Sequence, residues 1–198
     1  MSTITIVPKL WTDTLETHRR AVRDAVVESA ADLVGRRGIR SVTMSEIAEK
    51  AGVGRATLYK YFRDVEAILL AWHERQVTGH LARIAEARAR PGTARERLVA
   101  VLEAYALVRH ESGVHGELAA FLHRGEHVVD AERRVREIIG ALITEGAAAG
   151  ELRDNVPPDE LAAFCVNALS ASVDLPSQRA VRRLVGVTLD ALSPSPAA

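Results

Sequence analysis

Apolar residues recur at three- and four-residue steps along almost the whole chain, and glycine and proline are confined to a few short stretches between these runs. That is the period of helices and not of strands, so the chain reads as all-α. A first helix is expected from Asp13, with Glu16 three positions on to close a capping box. It runs through Leu15, Val22, Val26, Ala30 and Leu33 to the glycines at 35 and 38, which leaves residues 1–12 as a flexible arm. Thr43 and Glu46 repeat the capping pattern ahead of Ile47, Ala48 and Ala51, and Gly52 ends that helix after barely two turns. Beyond the Gly52-Val53-Gly54 turn lies a second short helix, Arg55 to Phe62. A longer helix follows, capped by Asp64 and carrying Ile68, Leu69, Trp72, Val77, Leu81 and Ile84 as far as Pro91-Gly92. Thr93 and Glu96 open the next, with Leu98, Val101, Leu102, Tyr105 and Val108 on its apolar face. Glu111 to Gly125 has no clear period and accommodates one short helix. From about Asp130, Val135, Ile138, Ile139, Leu142 and Ile143 repeat until Gly146 and Gly150. Pro157-Pro158-Asp159 introduces a helix with Leu161, Phe164, Cys165, Ala168 and Leu169, and Ser177 caps a last one through Val181, Leu184, Val185, Leu189 and Leu192. Residues 194–198 read as a disordered tail.

A chain of 198 residues with 47% apolar and 26% charged residues has enough core formers to fold, unlike a disordered polypeptide. Its 26 basic and 26 acidic residues cancel, which argues against one continuous cationic surface. The longest uncharged stretch, Leu161 to Val173, is well short of the ~20 residues a bilayer demands. The opening residues lack a basic segment followed by an apolar run and a cleavage site, so a cytoplasmic protein is expected. One cysteine, Cys165, excludes an intrachain disulfide and a cysteine-based zinc site, and its apolar surroundings suit an inert buried thiol.

The zero total hides an asymmetry. Residues 18–66 hold ten basic and seven acidic side chains, and residues 67–198 hold fifteen and seventeen. Two short helices joined by a glycine turn within that basic front match the helix-turn-helix plan, in which the second helix enters a major groove. The run Thr43 to Trp72, TMSEIAEKAGVGRATLYKYFRDVEAILLAW, resembles the signature of TetR-family transcriptional regulators in Thr43, Ile47-Ala48, Ala51-Gly52-Val53, Thr57-Leu58-Tyr59 and Tyr61-Phe62. The likeness implies an N-terminal three-helix DNA-binding domain, here 13–63, and a C-terminal helical domain for ligand binding and dimerisation, here 64–193. It also implies a homodimeric repressor that binds operator DNA and is released by a small-molecule effector, neither an enzyme nor the holder of a cofactor. Gly150-Glu151-Leu152-Arg153 and Pro158-Asp159-Glu160-Leu161-Ala162 resemble the entry to that family's dimer-forming helices. Val65 stands where the family usually has a lysine that contacts phosphate, and Gly54 where it usually has a capping serine.

Groove chemistry and the matching family positions together assign the DNA contacts. Arg55 and Lys60, at opposite ends of the reading helix, are expected to donate to guanine O6 and N7. Ala56 and the Thr57 methyl are small enough to let the helix sit deep, and Tyr59 and Tyr61 carry hydroxyls that reach phosphates. Thr43 offers hydroxyl and amide to a phosphate and is at least as well suited to a plain N-cap, two roles that do not conflict, and Ser45 faces the same groove by resemblance. Leu58, Phe62, Ile47 and Ala51 are core by spacing.

In the back half, Trp72, His73, Val77, Tyr105, Arg109, Phe121 and His123 mix aromatic surface with polar groups in a way that suits a ligand pocket between helices, although such residues are commonly plain core. Leu161, Cys165, Leu169, Val181, Val185 and Leu189 form apolar stripes on the last two helices that are expected to meet across a two-fold axis. His110, His115, His123 and His127 suggest a metal, but Gly125 interrupts the i, i+4 pair and no metal site is assigned. His73-Glu74 lacks a second histidine at Val77, Gly52-x-Gly54 follows a helix and lacks a third glycine, and neither a nucleophile elbow nor a Walker loop is present. The alternative to a DNA-binding regulator is a helical protein handling a small molecule or metal, an enzyme included, in which the basic front is only a solvated face.

Overall fold

The computed structural model describes residues 9–113 and 126–194, apart from the side chains of 9–15, 113, 126 and 127, and all regular structure within those residues is helical. Eight α-helices are described: α1 (Lys9–Arg37), α2 (Met44–Lys50), α3 (Arg55–Tyr61), α4 (Val65–Arg88), α5 (Ala94–Gly113), α6 (Glu126–Ala148), α7 (Pro158–Ser170) and α8 (Gln178–Asp190). Short 3-10 turns at Ile39–Ser41 and Ala171–Asp174 join α1 to α2 and α7 to α8.

Local chemistry sets most of these boundaries. Thr43 with Glu46 and Thr93 with Glu96 form the expected capping boxes. The Asp64 carboxylate accepts the Ala67 amide at 2.8 Å, and the Ser177 hydroxyl accepts that of Ala180 at 3.3 Å. Two starts differ from expectation. Helix α1 begins at Lys9 and not Asp13, so residues 9–12 are helical, and α6 begins at Glu126 and not near Asp130. A capping pattern marks where a helix is able to start, and nothing in it forbids an earlier turn. Gly146 does not break α6. It lies where a β-carbon would stand 2.6 Å from Leu152 Cδ1, so glycine there lets Leu152 fold back onto the helix. The helix ends at Ala148, and Gly150, φ +72°, turns the chain so that the Glu151 amide donates to the Gly146 carbonyl at 2.8 Å.

Chain contacts divide the molecule into two compact units, Met1–Glu74 and Arg75–Ala198. The division falls inside α4, beyond the boundary expected at residue 63, because a continuous helix carries no punctuation at the point where its neighbours change. In the first unit α1 packs on α2 and α2 on α3. Val26, Val27, Ala30, Val34, Ile47, Ala48, Leu58, Phe62, Ile68 and Leu69 are buried there, each large side chain contributing about 1.5–3 kcal/mol over its exposed state. Ala51, expected in this core, is half-buried.

In the second unit α5 is packed against α6, α7, α8 and the 171–174 turn. The shared core joins Leu98, Val101, Leu102, Tyr105 and Ala106 of α5 to Val135, Ile139, Leu142 and Ile143 of α6. It also contains Leu161, Cys165 and Leu169 of α7 and Val181, Val185 and Leu189 of α8. These last six are the residues expected at a two-fold interface, and the expectation is corrected: none is more than 9% exposed, because their stripes face α5 and α6 of the same chain. Burial pushes the Cys165 thiol up to about 12, an inert thiol as expected. Among the described residues, no helix is long and apolar enough to cross a membrane.

Candidate nucleic-acid interface

Helices α2 and α3 are joined by a turn that backbone hydrogen bonds fix closely. Ala51 caps α2, Gly52 takes φ +68°, its amide donates to the Glu49 carbonyl at 3.1 Å, and the Val53 amide donates to Ala48 at 3.0 Å. This paired closure requires a left-handed residue at position 52, which glycine adopts without steric cost. Gly54 then caps α3 in extended conformation with no side-chain hydrogen bond, and the Leu58 amide donates to its carbonyl at 3.0 Å.

Within α3 the four-residue period separates two faces. Leu58 is fully buried, and Phe62, the C-cap, is 4% exposed beneath the Arg23 guanidinium, which lies 5.6 Å from its ring centroid. On the other side Arg55, Ala56, Tyr59 and Lys60 are all exposed, Tyr59 at 51%. Thr57 and Tyr61 are half-buried at the flanks. The structure therefore brings Arg55, Ala56, Tyr59 and Lys60 onto one solvent-facing strip and sets Thr57 and Tyr61 at its edges.

Charge pairing sharpens the strip. Asp32 holds Lys50 at 2.5 Å and Arg36 at 3.0 Å, and Glu46 holds Arg37 at 2.9 Å. Those three cations brace α1 against itself and against α2. Among the described residues, no carboxylate lies within ion-pair distance of Arg55 or Lys60, so both are available to an external acceptor.

Thr43 is the N-cap of α2. Its amide donates to Glu46 Oε2 at 2.9 Å and its hydroxyl donates to the same oxygen at 2.8 Å. Both donors thus end on a carboxylate, which is the N-cap role expected for Thr43 alongside a phosphate contact. Ser45, in the first turn of α2, is half-buried. The Thr-x-x-Glu spacing signalled the cap, whereas the Arg37 arm that completes it has no local sequence signature.

The residues expected around a ligand are distributed between the units. Trp72, half-buried, and His73, 8% exposed, belong to the first. Val77, half-buried, belongs to the second with Tyr105, 5% exposed, and Arg109, half-buried, which follow each other by one turn of α5. Phe121, His123 and His115 lie outside the described residues, as does the His127 side chain. His110 Nδ1 lies 3.1 Å from the Ser172 carbonyl oxygen, a hydrogen bond to the 171–174 turn.

Comparison with known proteins bears on the same segment. Residues 26–72 match the family model for bacterial regulatory proteins of the tetR family. The chain is 23% identical over 142 residues to the fatty acid metabolism regulator protein of Bacillus subtilis (strain 168), covering 66% of this chain and 71% of that one. A transcriptional regulator of the TetR/AcrR family from Thermobifida fusca has a similar structure, with TM-score 0.72 and 23% identity over 85% of this chain and 96% of that one. The ketosteroid transcriptional regulator KstR2 of Mycobacterium tuberculosis is similar at TM-score 0.64 and 19% identity, over 87% and 95% of the two chains. At these identities the structural likenesses show a shared fold.

Proposed function

We propose, for a chain that belongs through residues 26–72 to the tetR family of bacterial regulatory proteins, a repressor that binds a pseudo-palindromic operator as a homodimer and is released by a small molecule. Each protomer would lay α3 in one major groove, with half-sites about one helical turn apart or a little more. The observation that carries this reading is the exposed strip Arg55-Ala56-Tyr59-Lys60 on a helix whose opposite face is locked into the core by Leu58. Arg55 and Lys60 supply base-edge or phosphate donors, Ala56 and Thr57 leave room for close approach, and Tyr59 and Tyr61 reach the backbone at the flanks.

Dimerisation would use the outward faces of α7 and α8, where Phe164 is 44% and Val187 65% exposed. The effector would bind the second unit and favour a separation of the two reading helices that no longer fits the groove spacing, so that DNA affinity falls by linkage. The names of the B. subtilis and M. tuberculosis relatives refer to fatty acid metabolism and to a ketosteroid, which favours an apolar molecule of the acyl or steroid kind as effector.

Titration of DNA from upstream of the protein's own gene in rising salt tests the reading. Contacts to several phosphates predict that log affinity falls linearly with log salt, with a slope of about −0.9 per phosphate neutralised. Absence of salt-sensitive binding to that DNA contradicts it.

A further inference from the structure

Among the described residues, two buried side-chain atoms of the second unit have no hydrogen-bond partner, Arg109 Nε on α5 and Ser172 Oγ in the 171–174 turn. One turn before Arg109 on α5, the Tyr105 side chain is 5% exposed. A guanidinium remains charged at any pH the fold survives, and burying part of it without an acceptor opposes folding. Burial also pushes the Tyr105 phenol up from its ordinary value, so it stays an O–H donor at neutral pH. Glu132 and Arg136 of α6 act electrostatically on Tyr105, and they lie 4.0 Å from each other. No ion pair joins Glu132 to Arg109.

A buried guanidinium N–H with no acceptor, and a phenol one turn away on the same helix, define what would complete the arrangement. The geometry points to Tyr105 and Arg109 as the receiving end of the effector site, which takes the oxyanion headgroup, carboxylate or phosphate, of an otherwise apolar molecule. This rests on the proposal that the second unit binds an effector, and it adds the chemical class of the end that α5 holds. The guanidinium donates to one oxygen and the phenol to the same or the other, a charge-assisted arrangement roughly twice as strong as its neutral counterpart. A guanidinium whose Nε is buried and kept for a ligand also explains why position 109 carries arginine when an apolar residue would pack there at lower cost.

Three probes with one tail separate the possibilities: tetradecanoate, tetradecyl phosphate and tetradecan-1-ol, each below its aggregation concentration. Binding to the full-length protein is read by thermal shift, and operator release by gel shift. A preference of roughly tenfold or more for either anion over the alcohol is expected in the unaltered protein. The better anion identifies the headgroup. Arg109→Met is expected to erase that preference while the ligand-free protein melts no lower than before, and Tyr105→Phe, which keeps the ring packing, to weaken the preference in part. Equal binding of acid and alcohol, or an undiminished preference in Arg109→Met, overturns the assignment and leaves the effector reading standing. A ligand-free Arg109→Met that melts well below the unaltered protein also overturns it, since arginine would then be structural. Failure of all three probes to bind overturns the assignment together with the acyl-type effector.

Discussion

Glu46 gathers three hydrogen bonds on one carboxylate: the amide and hydroxyl of Thr43 on Oε2, and the Arg37 guanidinium on Oε1. The Thr43 hydroxyl first, then its amide and Arg37, hold the carboxyl below its usual range. The sign follows from linkage. A carboxyl lowered on folding contributes stability above its unfolded value of about 4.3, and that contribution is lost as pH falls through the lower folded value. Glu46→Gln is therefore expected to melt below the unaltered protein at pH 7, and the gap is expected to narrow as pH falls below about 4.3, as protonation removes the advantage of the acid over the amide. Melting followed by circular dichroism from pH 7 downward checks this, and a gap that does not narrow as the pH falls contradicts it. Asp32, lowered first by the Lys50 hydrogen bond, loses its contribution in the same direction. The Thr-x-x-Glu spacing announced the cap, but not that it would occupy both donors of Thr43. A spacing rule states which groups can meet and not which competing acceptor wins.

At the level of elements, the three- and four-residue period located every described helix and the apolar stripe on each. It left open what each stripe faces. Leu161, Cys165, Leu169, Val181, Val185 and Leu189 share stripes as expected, yet α5 and α6 of the same chain cover them. The apolar residues that remain on the outer faces are single ones, Phe164 on α7 and Val187 on α8. A charge placed at either is tolerated by a monomer and opposed at an apolar contact between protomers. The double variant Phe164→Asp, Val187→Asp is therefore expected to sediment as a monomer with its helical content intact. An unchanged dimer contradicts the proposed interface, and a dimer broken only by substitutions inside the core would indicate misfolding. Helix starts were less well specified than helix existence, as α1 and α6 show, because a favourable cap four residues in does not prevent an earlier turn.

For the molecule as a whole, the residue pattern of 43–72 carried most of what could be inferred, since a reading helix must combine a buried leucine, small residues and exposed donors in seven positions. The second unit was less readable: aromatic and charged residues at helical spacing look the same whether they pack or bind, and only burial without partners distinguishes Arg109. The central claim is that the exposed strip of α3 reads bases. Its most direct measurement is the ratio of affinities for the operator and for a scrambled duplex of equal length, at fixed salt, in the unaltered protein and in Arg55→Ala. Loss of a bidentate guanine contact worth about 1–3 kcal/mol predicts a ratio roughly 5- to 150-fold lower in the variant, with the scrambled duplex bound almost as before. An unchanged ratio would contradict the assignment of base reading to Arg55 and to the face that carries it.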